Sequence, residues 1–299
     1  MRRMTFTFLL LGLLAACTPT PQPDAPTDPP TALAAPSATI LSTQATTELP
    51  AETISPSATP LTCWEDGGVL VTDVVPSQVL AGEIPLLVYL PPCFFAQPGK
   101  LYPALYLIHG QGFNQNQWVR LGITDFADDL IASGESEPFI IVMPFVADWR
   151  QPEEFPFGQA LVEEVLPYIE ASYQANPIRA ARAIGGLSRG GSWALHVGIR
   201  YWEKFSALGA HSGPVFLGDG DLMYGWLQQI PTGLAPRIYL DIASSEKSDI
   251  RRSVVWFTER LDSLGIEYQF IESYGGHNES FWREHVQEYL SFYIAEWKP

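Results

Sequence analysis

Ala183-Ile184-Gly185-Gly186-Leu187-Ser188-Arg189-Gly190-Gly191-Ser192 is the stretch from which the fold of this chain is read. It carries the pattern G-x-S-x-G at Gly186, Ser188 and Gly190. The apolar run 181–187 before it suits a buried strand, and Trp193-Ala194-Leu195-His196-Val197-Gly198-Ile199 after it suits a helix. A serine on a sharp strand-to-helix turn brings the residues two places to either side very close together, which glycine permits and a side chain does not. The hydroxyl then stands clear of the sheet at the positive end of a helix, where developing negative charge is favoured. The same pentapeptide also suits an ordinary turn with a serine N-cap, so the rest of the chain has to decide.

Outward from this turn, apolar runs recur with helical patterns between them. Segments 69–75 and 84–90 read as two early strands, antiparallel at one edge, and 104–109, 139–143, 181–187, 207–211, 238–243 and 268–272 as further strands. Segment 158–173 places Leu161, Val165, Leu166 and Ile169 at helical spacing, and 250–264 and 281–297 read as later helices. From Ala104 onward strands and helices alternate, which implies an α/β architecture: a mostly parallel, eight-stranded sheet flanked by helices. Ligands of such sheets bind at the carboxyl ends of the strands.

A serine hydroxyl at neutral pH needs a base within hydrogen-bond reach, and that base needs an orienting acid. On a fold of this kind the chain order is Ser, then Asp or Glu, then His. His196 lies on the helix behind Ser188, His211 precedes any candidate acid, and His285 sits inside the last helix. His277, in Tyr274-Gly275-Gly276-His277-Asn278-Glu279 between the final strand and the last helix, is therefore the expected base. The acid should follow strand 238–243, where Glu246 and Asp249 compete; Asp249 also suits an N-cap of the next helix, so Glu246 is preferred. Two backbone N–H groups should form an oxyanion hole. One is Arg189, directly after the serine; the other is Gln111 or Gly112, in the loop His109-Gly110-Gln111-Gly112-Phe113. His109 is expected to pack or hydrogen-bond beneath that loop.

Several of these segments together resemble one family. Tyr102-Pro103-Ala104-Leu105-Tyr106-Leu107-Ile108-His109-Gly110 with Trp118, Gly186-Leu187-Ser188-Arg189-Gly190-Gly191, Phe205 to Ser212-Gly213, and Gly275-Gly276-His277 with Trp282 resemble the esterase D / feruloyl esterase family of α/β hydrolases. The resemblance covers about 84–297. It implies an α/β-hydrolase fold and serine esterase activity, with Ser188 and His277 in the matching triad positions. The family often shows G-x-x-D after the seventh strand, where this chain has Ala243-Ser244-Ser245-Glu246. The expected activity is hydrolysis of carboxylic esters, on a small-molecule or glycan-linked substrate. An acyltransferase using the same acyl-enzyme, and a non-catalytic binding protein on the same fold, are the alternatives. No metal or organic cofactor is implied. Segment 214–236 is expected to form at most a small lid, and Trp149, Tyr224 and Trp226 are candidates for lining the substrate pocket.

The chain ends add a cellular address. Residues 1–17 carry Arg2, Arg3, an apolar segment 6–14 and Leu14-Ala15-Ala16-Cys17, the pattern of a bacterial lipoprotein signal peptide with Cys17 lipidated. Residues 18–61, built from Thr, Pro, Ala and Ser, read as a disordered tether with a reach on the order of 40 Å or more. The catalytic domain is expected over 62–299, exported and facing outside the cytoplasm. With Cys17 lipidated, Cys63 and Cys93 remain as a pair, and an oxidising compartment joins them as a disulfide. The net charge of −16, from 33 acidic and 17 basic residues, disfavours nucleic acid and anionic head groups as partners. Contact with a membrane is expected through the lipid anchor alone.

Overall fold

Period-2 alternation in the central strands explains how two cores flank one sheet. In the computed structural model, which describes residue 63 and residues 66–146 and 149–298, the strand Ala104–Ile108 (β3) turns Tyr106 and Ile108 to one core and Leu105 and Leu107 to the other. The preceding strands are Val69–Ser77 (β1) and Gly82–Leu90 (β2). After β3 come the helices Gln117–Arg120 (α1) and Ile123–Ala132 (α2), the strand Ile140–Pro144 (β4), and the helix Phe157–Ala160 (α3). A π turn, Leu161–Val165, joins α3 to Leu166–Ser172 (α4). Strands Arg182–Leu187 (β5), Ala207–His211 (β6), Arg237–Ser245 (β7) and Gln269–Gly276 (β8) follow. They alternate with helices Arg189–Arg200 (α5), Gly220–Gln228 (α6), Ser248–Leu264 (α7) and Glu279–Tyr293 (α8).

Among the described residues the eight strands form one sheet in the order β1-β2-β4-β3-β5-β6-β7-β8. Strand β2 is antiparallel to both β1 and β4, and the pairs from β4-β3 to β7-β8 are parallel. This is the mostly parallel, helix-flanked sheet of an α/β hydrolase. One face packs Tyr106, Ile184 and Leu208 against Trp193 and Val197 of α5 and Val254 and Phe257 of α7. The other packs Leu105, Ile141 and Ala183 against Trp118 of α1, Ile131 of α2, and Tyr289 and Tyr293 of α8. Every residue of β3, β4, β5 and β6 is buried, which is why these strands read in sequence as continuous apolar runs.

Three differences from the sequence reading matter. Strand β8 runs on to Gly276, so His277 follows the strand directly. Segment 214–236 contains α6, laid against α5 and α7 rather than standing free as a lid. Helices α1 and α2 were not anticipated: α1 is a single turn with no periodic signal, whereas α2 buries Ile123, Ala127, Leu130 and Ile131 at a helical spacing that the sequence reading passed over. The signal peptide 1–17 with Cys17 and the tether 18–61 lie outside the described residues.

Cys63 and Cys93 are paired, with Cα atoms 5.1 Å apart, tying residue 63 to the turn that follows β2. Cross-linking residues 30 apart in the chain removes loop entropy from the unfolded state equivalent to about 3–4 kcal/mol. Reduction with dithiothreitol should therefore lower the urea unfolding free energy by about that amount, and an unchanged midpoint would mean that the pair adds nothing to stability.

Candidate active site

The turn around Ser188 is shaped by contacts that only glycine allows. Strand β5 ends at Leu187 and α5 begins at Arg189, so Ser188 is the whole turn, held at φ 53° and ψ −118°. A Cβ on Gly186 would lie 2.2 Å from the carbonyl of Gly190, and one on Gly190 would lie 2.2 Å from the carbonyl oxygen of Ile108. A positive φ is costly for serine and persists because the surroundings over-determine it. Ser188 N–H donates to the His211 carbonyl at 2.7 Å, and Ser192 N–H donates to the Ser188 carbonyl at 3.1 Å. The side chain is left half-exposed at the carboxyl edge of the sheet.

The other two groups reach that edge through strand register. Strands β7 and β8 pair Ala243 with Ser273 but Ser245 with Gly276, so β8 holds one residue more over this interval. This irregularity sets Ser245 beside Gly276, and the next residues of the two strands, Glu246 and His277, become neighbours. Gly275 absorbs the extra residue at φ 150°, and a Cβ there would lie 2.5 Å from the Phe281 ring. Arg251 of α7 fastens the same place, donating to the carbonyls of Ala243 and Ser244 at 3.1 Å each and pairing with both carboxylate oxygens of Glu272.

The resulting geometry is a chain of three groups. His277 Nε2 lies 2.8 Å from Ser188 Oγ, and His277 Nδ1 lies 2.8 Å from Glu246 Oε1. An ionised carboxylate only accepts, so Nδ1 carries the proton and Nε2 faces the serine hydroxyl as an acceptor. The Glu246 side chain is fully buried and that of His277 is 12% exposed. Burial pushes the Glu246 carboxyl up, but the hydrogen bond from His277, the neighbouring Ser212 hydroxyl, the nearby imidazole and the Lys247 N–H at 2.9 Å bring it below its ordinary value of 4.5. Oε2 is buried and makes no hydrogen bond of full geometry. Trp282 packs edge-on against the His277 ring at 5.1 Å and limits how far it can turn.

The loop after β3 faces Arg189. Gly110 N–H is committed to the buried Gln117 Oε1 at 2.7 Å, and Phe113 N–H donates to the Gly110 carbonyl. Beneath the loop, His109 Nδ1–H donates to the Gly110 carbonyl at 2.8 Å, while Nε2 accepts from Val146 N–H at 2.9 Å. Burial pushes the His109 pKa down, which favours this neutral ring with its single tautomer. A small hollow is bordered by His109, Gly110, Gln111, Val146, Trp149, Arg189 and Trp193. Gln111 and Arg189, the residues expected to supply the oxyanion N–H groups, both border this hollow. Among the described residues, no three of His, Cys, Asp and Glu converge as a metal site.

Several expected residues fall elsewhere. Gly112, at φ 81°, shapes the loop but does not border the hollow. Asp249 is exposed on the first turn of α7 and caps nothing, because the helix starts earlier, at Ser248. Trp226 packs edge-on to His196 at 5.3 Å and beside the Arg200 guanidinium, and does not border the hollow. Tyr224 lines a separate depression with Trp256 and Arg260. Of the three aromatic candidates, Trp149 alone borders the hollow. A larger hollow of about 540 Å³ lies around 227–237 and 264–267, without a nucleophile or an acid–base pair in its lining, and the chemistry is assigned to Ser188 instead. Sequence reasoning missed Gln117, which carries no motif, and the irregular register of β8, for which the pair Gly275-Gly276 was the available sign. His211 is buried against Asp241, Tyr289 and Tyr293, and His196 against Asp219, and both lie off the line from Ser188 to Glu246.

Residues 77–293 match the family model described as "Putative esterase". The chain is 32% identical over 130 residues to an endo-1,4-beta-xylanase/feruloyl esterase of Xylanibacter ruminicola, over 40% of this chain and 17% of that protein. It is 34% identical over 144 residues to an esterase of Mycobacterium tuberculosis, over 43% of this chain and 29% of that protein. The match therefore spans less than a third of the length of either relative. A solved ferulic acid esterase superposes with a TM-score of 0.69 at 26% identity, covering 77% of this chain and 99% of its own.

A carboxyl held below its ordinary value stabilises the fold above that value and loses the effect as pH falls through its folded-state pKa. The stability difference between the native chain and Glu246→Gln should accordingly be largest above pH 4.5 and shrink below it. Urea titrations of both proteins across this range check it, and a constant difference would contradict the assigned charge.

Proposed function

The chain belongs to the esterase family, and on that premise we propose that it hydrolyses carboxylic esters through an acyl-enzyme on Ser188. The observation that carries this reading is the contact of Ser188 Oγ with His277 Nε2 at 2.8 Å, with Glu246 on the other ring nitrogen at the same distance. As Oγ bonds to the ester carbonyl carbon, Nε2 takes its proton, and Glu246 stabilises the imidazolium that forms. The carbonyl oxygen becomes an oxyanion facing the N–H groups of Arg189 and Gln111, at the positive end of α5. Collapse of the tetrahedral intermediate expels the alcohol, which leaves with the proton from Nε2. A water molecule, deprotonated by the same nitrogen, then attacks the acyl group, and Ser188 departs with the proton as the acid is released.

The feruloyl and ferulic acid esterases among the similar proteins make hydroxycinnamoyl esters the first substrates to try. Trp149, exposed beside the hollow, offers an aromatic surface to such an acyl group. Assay of the full chain with acetyl, longer acyl and cinnamoyl esters should show turnover abolished by Ser188→Ala. Equal rates for the variant and the native chain would remove this function from the site. Glu246→Gln should lower kcat by about 10²- to 10⁴-fold, because the ring loses the acceptor that fixes its tautomer. Asp249→Asn should stay within about twofold; the reverse order would move the acid to Asp249.

The leader and the low-complexity tether support export and anchoring through lipidated Cys17. Expressed in a bacterium, the native chain should partition into detergent with the membrane fraction, and Cys17→Ser should be released. Identical partitioning of the two would exclude a lipid anchor at that cysteine.

A further inference from the structure

Ser212 directly follows β6 in the left-handed region, at φ 49°, and is fully buried. Its N–H donates to the Asp241 carbonyl at 2.9 Å, extending the ladder beyond the strand end. Glycine adopts this conformation without strain, so a serine here has a role for its hydroxyl that offsets the cost. Its Oγ accepts the Trp282 indole N–H at 3.3 Å. The indole nitrogen can only donate, so the hydroxyl's own proton points away from it. The buried, unpartnered Oε2 of Glu246 is an acceptor that needs such a proton, and the hydroxyl is near enough to favour the ionised carboxyl. Oε1 already receives His277 Nδ1–H and Lys247 N–H, whereas Oε2 is buried and lacks a direct partner.

We propose that Ser212 is a positioning residue: its O–H donates to the Glu246 carboxylate and locks the rotamer in which Oε1 faces His277. Trp282 sets the hydroxyl rotor and, from the same indole, packs against the His277 ring. One side chain of α8 thereby braces both the acid and the base. The hydroxyl also opposes the cost of burying the carboxylate, in line with the direction in which it moves the Glu246 pKa. The proposal rests on the reading of Ser188, His277 and Glu246 as a catalytic triad.

The test compares Ser212→Gly and Ser212→Ala in the full chain, measuring kcat, KM and thermal stability on one ester that the native chain turns over. Both variants lack the hydroxyl, but Ser212→Gly also relieves the positive φ. Both should lose kcat by about 10- to 100-fold, the worth of a hydrogen bond to a charged group, with KM within about twofold. Ser212→Gly should nevertheless be the more stable of the two. A purely structural role predicts instead that activity follows stability, with Ser212→Gly at the native rate, and that result overturns the proposal. In a Glu246→Gln background, Ser212→Gly should cost little further activity, because both changes act on one carboxylate; fully additive losses would also overturn it. If Ser188→Ala is inactive and Ser212→Gly is unaffected, the positioning role alone fails. If Ser188→Ala turns over ester at the native rate, the triad and the positioning role fall together.

Discussion

A hydroxyl, an imidazole and a carboxylate meet here because the carboxyl ends of parallel strands are set level with one another to within a residue. Ser188 hangs from β5 through its N–H bond to His211, the last residue of β6. Glu246 and His277 follow Ser245 and Gly276, which are paired across β7 and β8. The level depends on the one additional residue in β8. Without it, His277 would be one residue out of step with Glu246, and in a pleated strand such a slip turns a side chain to the opposite face. Gly275, the Phe281 ring above it, and the Arg251 guanidinium that bridges the carbonyls of β7 to Glu272 of β8 are all devoted to keeping this register.

The site is also an exercise in burying polar groups. The sheet edge around Ser188 contains a fully buried carboxylate, a neutral buried His109 and a fully buried Gln117, each of which would be destabilising without partners. The partners are mostly backbone: Gly110 for both His109 and Gln117, Val146 for His109, and Lys247 for Glu246. This makes the loop after β3 rigid where a flexible glycine-rich segment would otherwise be expected. It also leaves Gly110 N–H occupied by Gln117, so that this amide is not free to bind an oxyanion. A preorganised loop costs no reorganisation when charge develops beside it, which is the physical basis of oxyanion stabilisation.

The opposed contributions at Glu246 explain why a glutamate is tolerated in a dry location. Desolvation raises its pKa, and the hydrogen bonds from His277, Ser212 and the Lys247 amide lower it further than burial raises it. The carboxylate is thus kept ionised by its immediate neighbours rather than by solvent. The longer glutamate side chain has an additional rotatable bond, so the groups that restrain its rotamer matter more than they would around a shorter aspartate.

The sequence alone determined the parts that rest on local patterns. Strand periodicity marked the eight strands to within a few residues at their ends, and β6 lay at 207–211 as read. The glycines at 186 and 190 marked the serine turn, because their constraint is steric and local. Chain order, together with the glycines before it, singled out His277 from the other histidines. Tertiary structure decided what depends on register and packing. It brought Glu246 and not Asp249 to His277, since a one-residue irregularity between two strands is invisible to hydropathy. It set Gln111, and not Gly112, on the border of the hollow with Arg189, and tied the neighbouring Gly110 N–H to Gln117. It took Tyr224 and Trp226 away from the site, because α6 lies along α5 and α7 and its aromatic rings serve the packing there. Side chains remote in sequence meet only when the sheet is assembled, and the direction in which each one points is set by neighbours that no local pattern names.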